Sequence, residues 1–265
     1  MLWLLGYVAL GAVAGFFAGL LGVGGGAIMV PVLALMFAAQ GFPAEHLMHL
    51  ALGTSMAAIV FTSISSLRAH HAHGAVQWPI VRSIAPGVLL GTFLGAQLAS
   101  VAPTRPLAIF FVVFMSYVAF QMLANIKPKP TRQLPGNLGM FAVGNGIGVV
   151  SALVAIGGGS LSVPFMTWCN VKMHHAIGTS AAIGLPIAVA GTAGYLVGGW
   201  GASQLPAWSF GYIYLPALVG CVLMSMLTAP LGAKAAHRLP VATLKKIFAG
   251  VILLLLAKMV HGLFF

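Results

Sequence analysis

Acidic side chains are almost absent from this sequence, since Glu45 is the only Asp or Glu among its 265 residues. Carboxylates within membrane segments usually build proton relays and cation sites, so a relay or cation site made of carboxylates is excluded. Charged residues of both signs make up only 5% of the chain, whereas 60% is hydrophobic. The mean hydropathy is +1.06, and a soluble domain cannot bury that much apolar surface in one core. We therefore expect an integral membrane protein.

Cysteine is nearly absent as well, and long polar stretches are few. Cys169 and Cys221 stand apart without a Cys-x-x-Cys spacing, so we expect small packing residues rather than a disulfide framework or a redox pair. The longest polar connection spans about residues 125–136, which leaves no room for a soluble catalytic domain. The first five residues carry no charge, unlike a cleavable signal, and we expect them in the mature protein.

Long apolar segments account for most of the chain. A transmembrane helix needs about 20 apolar residues, and eight segments approach that length: 2–21, 47–67, 79–100, 106–125, 137–156, 176–198, 208–232 and 244–264. Two shorter apolar stretches, 27–39 and 160–170, directly follow two glycine triplets. The sequence therefore predicts an all-α polytopic protein of eight to ten membrane segments.

An internal repeat divides the chain into two halves. Residues 15–31 match residues 148–164 at an offset of 133, and each copy contains a Gly-Gly-Gly triplet followed by a proline. The motif Met-His-x-Ala-x-Gly-Thr-Ser occurs at 48–55 and again at 173–180, and a third match pairs 95–111 with 232–248. Because repeats in one order indicate duplicated units, we predict a first transmembrane repeat (1–126), a cytoplasmic linker (127–136) and a second repeat (137–265).

Positive charges predict how these halves are oriented. Lys and Arg concentrate in cytoplasmic loops. If each glycine triplet is only a kink, the twelve cations divide six to six between the two sides. If the chain reverses at each triplet, ten lie on one side and only Arg105 and Lys258 lie on the other. Reversal therefore predicts two inverted repeats, each a glycine-interrupted helical hairpin plus three transmembrane helices, with both termini periplasmic; whether the first hairpin segment crosses fully stays open.

The two triplets are the first candidate binding elements. Helix N-termini present amide groups without intrahelical partners at the positive end of the helix dipole. Two such ends facing each other near the middle of the membrane would form an anion site. The alternative is that small residues only allow close helix packing. The predicted substrate-binding residues here are Gly24, Gly25, Gly26, Gly157, Gly158, Gly159 and Ser160.

Hydroxyl and imidazole groups in the repeated Met-His motif are further candidates. Thr54, Ser55, Thr179 and Ser180 can donate hydrogen bonds to an anion without placing a charge in lipid. The alternative for such hydroxyls is a bond back to their own helix. His49 and His174 occupy equivalent positions and can donate to an anion or titrate between about pH 5 and 8, although an interfacial residue without a special role is the competing interpretation.

Two alternative functions remain, a metal-cation transporter and a serine–histidine enzyme. His70, His71 and His73 could bind a transition metal, which makes a metal-cation transporter the alternative function; a solvated polar loop is the favoured interpretation. A serine–histidine enzyme lacks a nucleophile motif and an acid to orient a base. We therefore expect no enzyme activity, no cofactor and no resident metal.

The repeated motifs resemble a known family. Gly19-Leu-Leu-Gly-Val-Gly-Gly-Gly26 leading to Val30-Pro31, then Ala51-Leu-Gly-Thr-Ser55, and the corresponding segments at 157–164 and 176–180 are similar to the TauE/SafE sulfite exporter family, also called the toluene sulfonate uptake permease family. The resemblance covers nearly the whole chain. It implies a permease in the bacterial inner membrane that moves sulfite, sulfoacetate or another organosulfonate. The expected partners are this anion, the lipid bilayer and a coupling proton or ion, without nucleic acid; the oligomeric state, with a homodimer as one option, stays open.

Overall fold

The computed structural model describes residues 2–21, 25–124, 131–236 and 241–264. Apart from one small β-hairpin, its regular structure is helical, as the apolar segments predict. Seven of the described helices are long and apolar enough to cross a membrane. The elements are α1 (Leu2–Leu21), α2 (Gly26–Ala39), a 3-10 turn (Ala44–His46), α3 (Leu47–Ala72), α4 (Trp78–Val101), α5 (Thr104–Leu123), α6 (Asn137–Val154), α7 (Gly159–Trp168), α8 (Met173–Gly198), β1 (Ser209–Phe210), β2 (Ile213–Tyr214), α9 (Leu215–Ala236) and α10 (Val241–Phe264).

The chain turns back on itself after α1 and after α6. At the end of α2, the Gln40 side-chain amide donates a 2.6 Å hydrogen bond to the Tyr7 hydroxyl near the start of α1. In the second half, the Trp168 indole at the end of α7 donates to the Thr131 hydroxyl. The Arg132 guanidinium lies 5.0 Å from the centre of the Trp168 ring. Each short helix therefore returns to the end from which the preceding long helix started.

Each half packs one of its helices against a helix of the other half. α1 of the first half packs against α9 of the second, and α6 of the second packs against α4 of the first. Glycines at every fourth position make this contact close, because a Cβ at each would collide with the neighbouring helix. The glycines of α1 are Gly11, Gly15 and Gly19, facing Cys221, Ser225 and Ala229; those of α4 are Gly87, Gly91 and Gly95, facing Phe141, Asn145 and Val149.

The core lies on α3, which packs against α8, α9 and α2. In the most apolar 18-residue stretch of the span Ala44–Ala72, 83% of the residues are buried, compared with 56% in that of Met173–Gly198 and less in those of the other five spans. A helix that is covered on nearly all sides cannot be a lipid-facing wall. Side chains of α3 therefore line the interior between the two halves.

Two expected boundaries differ clearly in the structure, and one expected segment is not among the candidate spans. Residues 209–214 form an antiparallel hairpin, with Phe210 paired to Ile213, so the span expected at 208–232 begins only at Leu215. Alternating aromatic and β-branched residues around Gly211 favour a hairpin over a helix. The segment expected at 47–67 continues to Ala72, so the connection to α4 shrinks to residues 73–77. α10 covers the eighth expected segment but is not among the seven candidate spans.

Candidate functional site: the meeting point of the two glycine breaks

Both glycine breaks form the same backbone structure where the short helices begin. The residue before α2 is Gly25 with φ 80°, and the residue before α7 is Gly158 with φ 85°. This left-handed region suits glycine and is costly for residues with a Cβ. Gly25 and Gly158 therefore give the same backbone geometry to the start of a helix that follows a chain reversal. The predicted site residue Gly24 lies outside the described residues.

The N-termini of α2 and α7 have no side-chain caps. In α7 the amides of Leu161 and Ser162 donate to the carbonyl oxygen of Gly158. The amides of Gly159 and Ser160 come before these first paired amides and belong to the unpaired donors of a helix start. The same applies to α2, where the amides of Ile28 and Met29 donate to Gly25. Both helices therefore begin with outward-facing amide donors and a positive dipole end.

The two breaks lie against each other. A Cβ built on Gly26 would collide with the carbonyl oxygen of Ala155, two residues before the second triplet, and would come within 3.1 Å of Ile59 on α3. Ala155 itself has a positive φ of 47°. Because residues 129 positions apart in the sequence touch here, the fold brings the two predicted halves of the site together at α3.

A small polar cavity adjoins the second break. It has a volume of about 10 Å³ and is lined by Ala18, Thr62, Ser63, Ser66, Gly157, Ala181 and Gly184. The volume is about that needed for one water molecule, which is too small for a tetrahedral oxyanion. The polar side chains of this cavity all come from α3. The space beside the second break is therefore closed to such an anion in this structure.

The serines near the breaks fall into two groups. Ser55, Ser66 and Ser160 are buried, and their hydroxyl oxygens have no hydrogen-bond partner among the described residues. By contrast, Ser162 donates to the carbonyl of Gly158 and lies 3.0 Å from the hydroxyl of Ser180. Buried polar groups without partners are uncommon in proteins and call for an explanation such as a ligand or water. Ser55, Ser66 and Ser160 are therefore candidate donors to a ligand, and Ser151 in the last turn of α6 has an equally unpaired hydroxyl.

The two predicted threonines have structural partners instead. The Thr54 hydroxyl accepts a 3.0 Å hydrogen bond from the Tyr214 amide, just before α9. The Thr179 hydroxyl accepts an identical 3.0 Å bond from the Gln77 amide, just before α4. Each threonine therefore fixes the start of a helix that belongs to the other half.

The glycines that precede these two threonines allow the backbone of the other half to come close. A Cβ on Gly53 would collide with the Tyr212 carbonyl, and a Cβ on Gly178 would lie 2.8 Å from the Ala75 carbonyl. Glycine and threonine together thus hold the incoming backbone, which explains the repeated Gly-Thr pair without a substrate.

The equivalent histidines have different environments. His49 is only 3% exposed, and its Nε2 lies 3.1 Å and 3.0 Å from the carbonyls of Ala99 and Ala102 at the end of α4. His174 is exposed and stacks on His175, with ring centres 3.9 Å apart. The structure does not bring His49 and His174 to a common site, since they lie at opposite ends of the antiparallel contact between α3 and α8, where Met56 meets Gly191 and Ser63 meets Gly184.

The His70–His73 segment is not a solvated loop, as the favoured interpretation had it. His70 belongs to α3 and is 1% exposed, with its Nε2 3.3 Å from the Gly19 carbonyl. His71 packs against Trp78, and the Nδ1 of His73 lies 2.7 Å from the Ala69 carbonyl. Nothing among the described residues groups three His, Cys, Asp or Glu side chains for a metal ion. The alternative of a metal transporter has no support from this geometry.

Sequence reasoning overlooked the polar face of α3. Thr62, Ser63 and Ser66 line the central cavity, while the equivalent positions of the second half are Ile187, Ala188 and Gly191. The search for repeated motifs could not find residues that occur in one half only. The cluster Thr-Ser-x-Ser-Ser at 62–66, in the middle of an apolar span, was the signal that could have identified them.

Comparison with known proteins agrees with this architecture. Residues 7–259 match the family "Sulfite exporter TauE/SafE". A "Probable membrane transporter protein" of Haemophilus influenzae is 40% identical over 240 residues, covering 90% of this chain and 91% of the relative. The "Probable membrane transporter protein YdhB" of Bacillus subtilis is 28% identical over 239 residues, covering 87% and 89%. No solved structure matches the chain significantly.

The match extends over nearly all described elements, from α1 into α10. Seven candidate spans and relatives named as membrane transporters identify a multi-pass membrane protein with a transport function. The expected resemblance is confirmed: the chain belongs to the TauE/SafE sulfite exporter family.

Proposed function

We propose that the protein is a secondary transporter of a small oxyanion such as sulfite, sulfoacetate or another organosulfonate, and that the anion binds where the two glycine breaks meet. The observation that carries this proposal is the contact of Gly26, the first residue of α2, with the Ala155 carbonyl at the end of α6, which supports a site where the two breaks adjoin. Uncapped N-termini bind anions through amide donors and the helix dipole. No acidic side chain competes there, because Glu45 is the only one in the chain.

The hydroxyls complete the proposed site. Ser160 lies in the first turn of α7, and Ser55 and Ser66 lie on α3. Their unpaired oxygens can donate hydrogen bonds to an oxyanion, which offsets part of the cost of moving it out of water. Thr54, Thr179 and Ser180 act indirectly in this proposal, by fixing the helices that carry the donors.

Transport by this site requires movement of the halves. The central cavity of about 10 Å³ must open to admit an oxyanion and then open on the other side. Inverted repeats whose broken helices meet at the membrane midplane support such alternating access. Helix α1 packs against α9, and α4 packs against α6. In this proposal each pair moves as a unit around α3 and α8.

The proposed orientation follows from the positive charges. With ten of twelve Lys and Arg on the cytoplasmic side of a bacterial inner membrane, both termini are periplasmic and the linker at 127–136 is cytoplasmic. The side-by-side position of Arg132 and the end of α7 supports the reversal on which this count depends.

Uptake of radiolabelled sulfite and sulfoacetate into proteoliposomes tests the proposal. We expect saturable uptake that is lost in Ser160→Ala combined with Gly158→Ala, whereas Gly146→Ala transports normally because a Cβ at Gly146 meets no atom within 4 Å. Absence of uptake of every sulfite or sulfonate tested, by protein that is folded by circular dichroism, would refute the proposal.

A further inference from the structure

Helices α3 and α8 face each other through equivalent positions of the internal repeat, which are 125 residues apart in the sequence. A Cβ on Gly191 would lie 2.9 Å from the Met56 sulfur, and a Cβ on Gly184 would lie 3.3 Å from the Ser63 hydroxyl oxygen. The two helices therefore run antiparallel along this contact. Helical spacing places positions 56, 59, 63 and 66 on the same face of α3, and positions 181, 184, 188 and 191 on the same face of α8.

The two ends of this contact differ in the size and polarity of their side chains. On α3 the four positions hold Met56, Ile59, Ser63 and Ser66. On α8 all four hold glycine or alanine. The contact between α3 and α8 thus has an apolar end, formed by Met56 and Ile59, and a hydroxyl end, formed by Ser63 and Ser66.

Large side chains occupy the space at the apolar end. Met56 and Ile59 are both fully buried. The Met56 thioether packs onto the bare backbone of Gly191, and the Cδ1 atom of Ile59 lies 3.1 Å from the position of a Cβ on Gly26. The first glycine break is therefore covered by apolar side chains where it faces α3.

The equivalent space at the hydroxyl end is hollow. The residue equivalent to Ile59 is Gly184, and the residue equivalent to Met56 is Ala181. A Cβ on Gly184 would lie 2.8 Å from the carbonyl oxygen of Gly157, in the second break. These three small residues line the central cavity of about 10 Å³, because no side chain of the size of methionine or isoleucine stands there.

The hydroxyl end can interact with a polar occupant. Ser63 and Ser66 both line the cavity. Ser66 is only 3% exposed, and its hydroxyl oxygen has no hydrogen-bond partner among the described residues. A buried hydroxyl without a protein partner calls for a water or a ligand beside it. The two glycine breaks thus have opposite surroundings on α3, apolar at the first and polar at the second.

These surroundings differ in what can pass them. A narrow apolar constriction excludes water and therefore ions, whereas hydroxyls replace part of the hydration that an anion loses. Methionine is unbranched and has three rotatable bonds, so Met56 can leave Gly191 by a change of rotamer. Isoleucine is stiff at χ1. Ile59 is therefore the fixed part of the apolar barrier, and Met56 is the part that can move.

We propose that Met56, supported by Ile59, is the gate of one of two approaches to the anion site, and that Ser63 and Ser66 line the other approach. The anion passes the apolar end only after Met56 leaves Gly191, whereas the hydroxyl end needs only a widening of the existing cavity. The proposal rests on the proposed function for the position of the anion site. In the orientation proposed above, the gate faces the periplasm, because α3 begins on that side.

Labelling of an introduced cysteine tests the gate. Ala188 is fully buried, and as the equivalent of Ser63 it belongs beside Ile59. Full-length protein with Cys169→Ser, Cys221→Ala and Ala188→Cys is treated with a membrane-impermeant methanethiosulfonate reagent, in right-side-out and in inside-out membrane vesicles. The labelling rate of a buried thiol follows the population in which it is open, so we expect slow labelling with Met56 in place and labelling about tenfold faster or more with Met56→Ala. The faster labelling occurs from one side of the membrane, and Ser66→Cys is labelled from the opposite side.

Two control variants separate a gate from general loosening of the fold. Met56→Leu nearly keeps the volume of the side chain, so labelling of Ala188→Cys stays slow. Met115→Ala removes an equally buried methionine from α5 and leaves the labelling rate unchanged. If Met56→Ala does not fold, Met56→Val, whose side chain is also shorter, takes its place.

Three results overturn the proposal. The first is a labelling rate of Ala188→Cys that does not depend on Met56→Ala. The second is an equal increase of this rate by Met115→Ala. The third is labelling of Ala188→Cys and Ser66→Cys from the same side of the membrane.

Failure of the gate and failure of the proposed function give different results, because labelling requires no substrate. Labelling that depends on Met56, in a protein that transports no sulfite or sulfonate, supports the gate and refutes the proposed substrate. Saturable sulfonate uptake, combined with labelling that Met56→Ala does not change, supports the proposed function and refutes the gate.

Discussion

The carbonyl oxygen of Ala155 occupies the position that a Cβ on Gly26 would take. Ala155 ends the long arm of the second hairpin, and Gly26 begins the short arm of the first. Backbone thus packs directly on backbone between the two halves. This contact leaves no room for any side chain at position 26.

The contact at Gly26 predicts a strong effect of the smallest possible side chain. Gly26→Ala forces a methyl group against a backbone oxygen, which cannot rotate away, and we expect a loss of about 1–3 kcal/mol in unfolding free energy, as for other overpacked sites. Thermal unfolding in detergent measures it. Gly146→Ala, where a Cβ meets open space within α6, is the control and should be neutral or slightly stabilising. Equal stability of the two variants would contradict the close contact.

The threonine bonds predict that Thr54 and Thr179 matter for stability. Valine keeps the shape of threonine but leaves the amide of Tyr214 or Gln77 without its acceptor, so Thr54→Val and Thr179→Val should each cost about 1–3 kcal/mol. Denaturation in detergent tests this. Thr192→Val is the matched control, because the Thr192 hydroxyl bonds only to the Ala188 carbonyl of its own helix. If all three variants behave alike, the bonds between the halves are not significant.

The unpaired serines predict the opposite combination of effects. Ser55→Ala and Ser160→Ala remove hydroxyls without a protein partner, so their unfolding free energy should change little while the affinity for the transported anion falls about fivefold to tenfold. Transport kinetics at varied substrate concentration and thermal unfolding together check this. For comparison, Ser162→Ala loses bonds to Gly158 and Ser180 and should destabilise the fold. Unchanged transport by both unpaired-serine variants would remove them from the site.

The orientation predicts which side of the membrane each loop faces. In a background of Cys169→Ser and Cys221→Ala, Arg105→Cys should react with a membrane-impermeant maleimide added to intact cells, and Arg82→Cys should react only after the membrane is permeabilised. Both native cysteines are buried, and burial raises the pKa of the Cys169 thiol, so they also react slowly in the wild type. Labelling of both introduced cysteines from outside would contradict the inverted arrangement.

Much of the architecture could be predicted from the residues. The apolar segments predicted a polytopic helical protein, and the two short stretches after the triplets became α2 and α7. The expected start at 208 and the expected end at 67 were wrong, because hydropathy measures how apolar a segment is and does not distinguish an aromatic hairpin from the end of a helix. His70 was misjudged because α3 continues through a polar stretch that hydropathy assigns to a loop. The contact of His70 with Gly19 joins residues that are distant in the sequence.

The site was predicted less completely. The glycine breaks were found because they are repeated, but the repeat also drew attention to Thr54 and Thr179, whose partners are backbone amides of the opposite half. Ser63 and Ser66 were missed because only the first half has them.

The sequence by itself determined the environment of the chain, its division into two halves and the positions where its helices break, because hydrophobicity, repetition and glycine act locally. Only the tertiary structure decided which residues meet. Contacts between the halves, such as that of Gly26 with Ala155, depend on how a helix of one half packs against a helix of the other. The free energy of that packing comes from surfaces that are far apart along the chain.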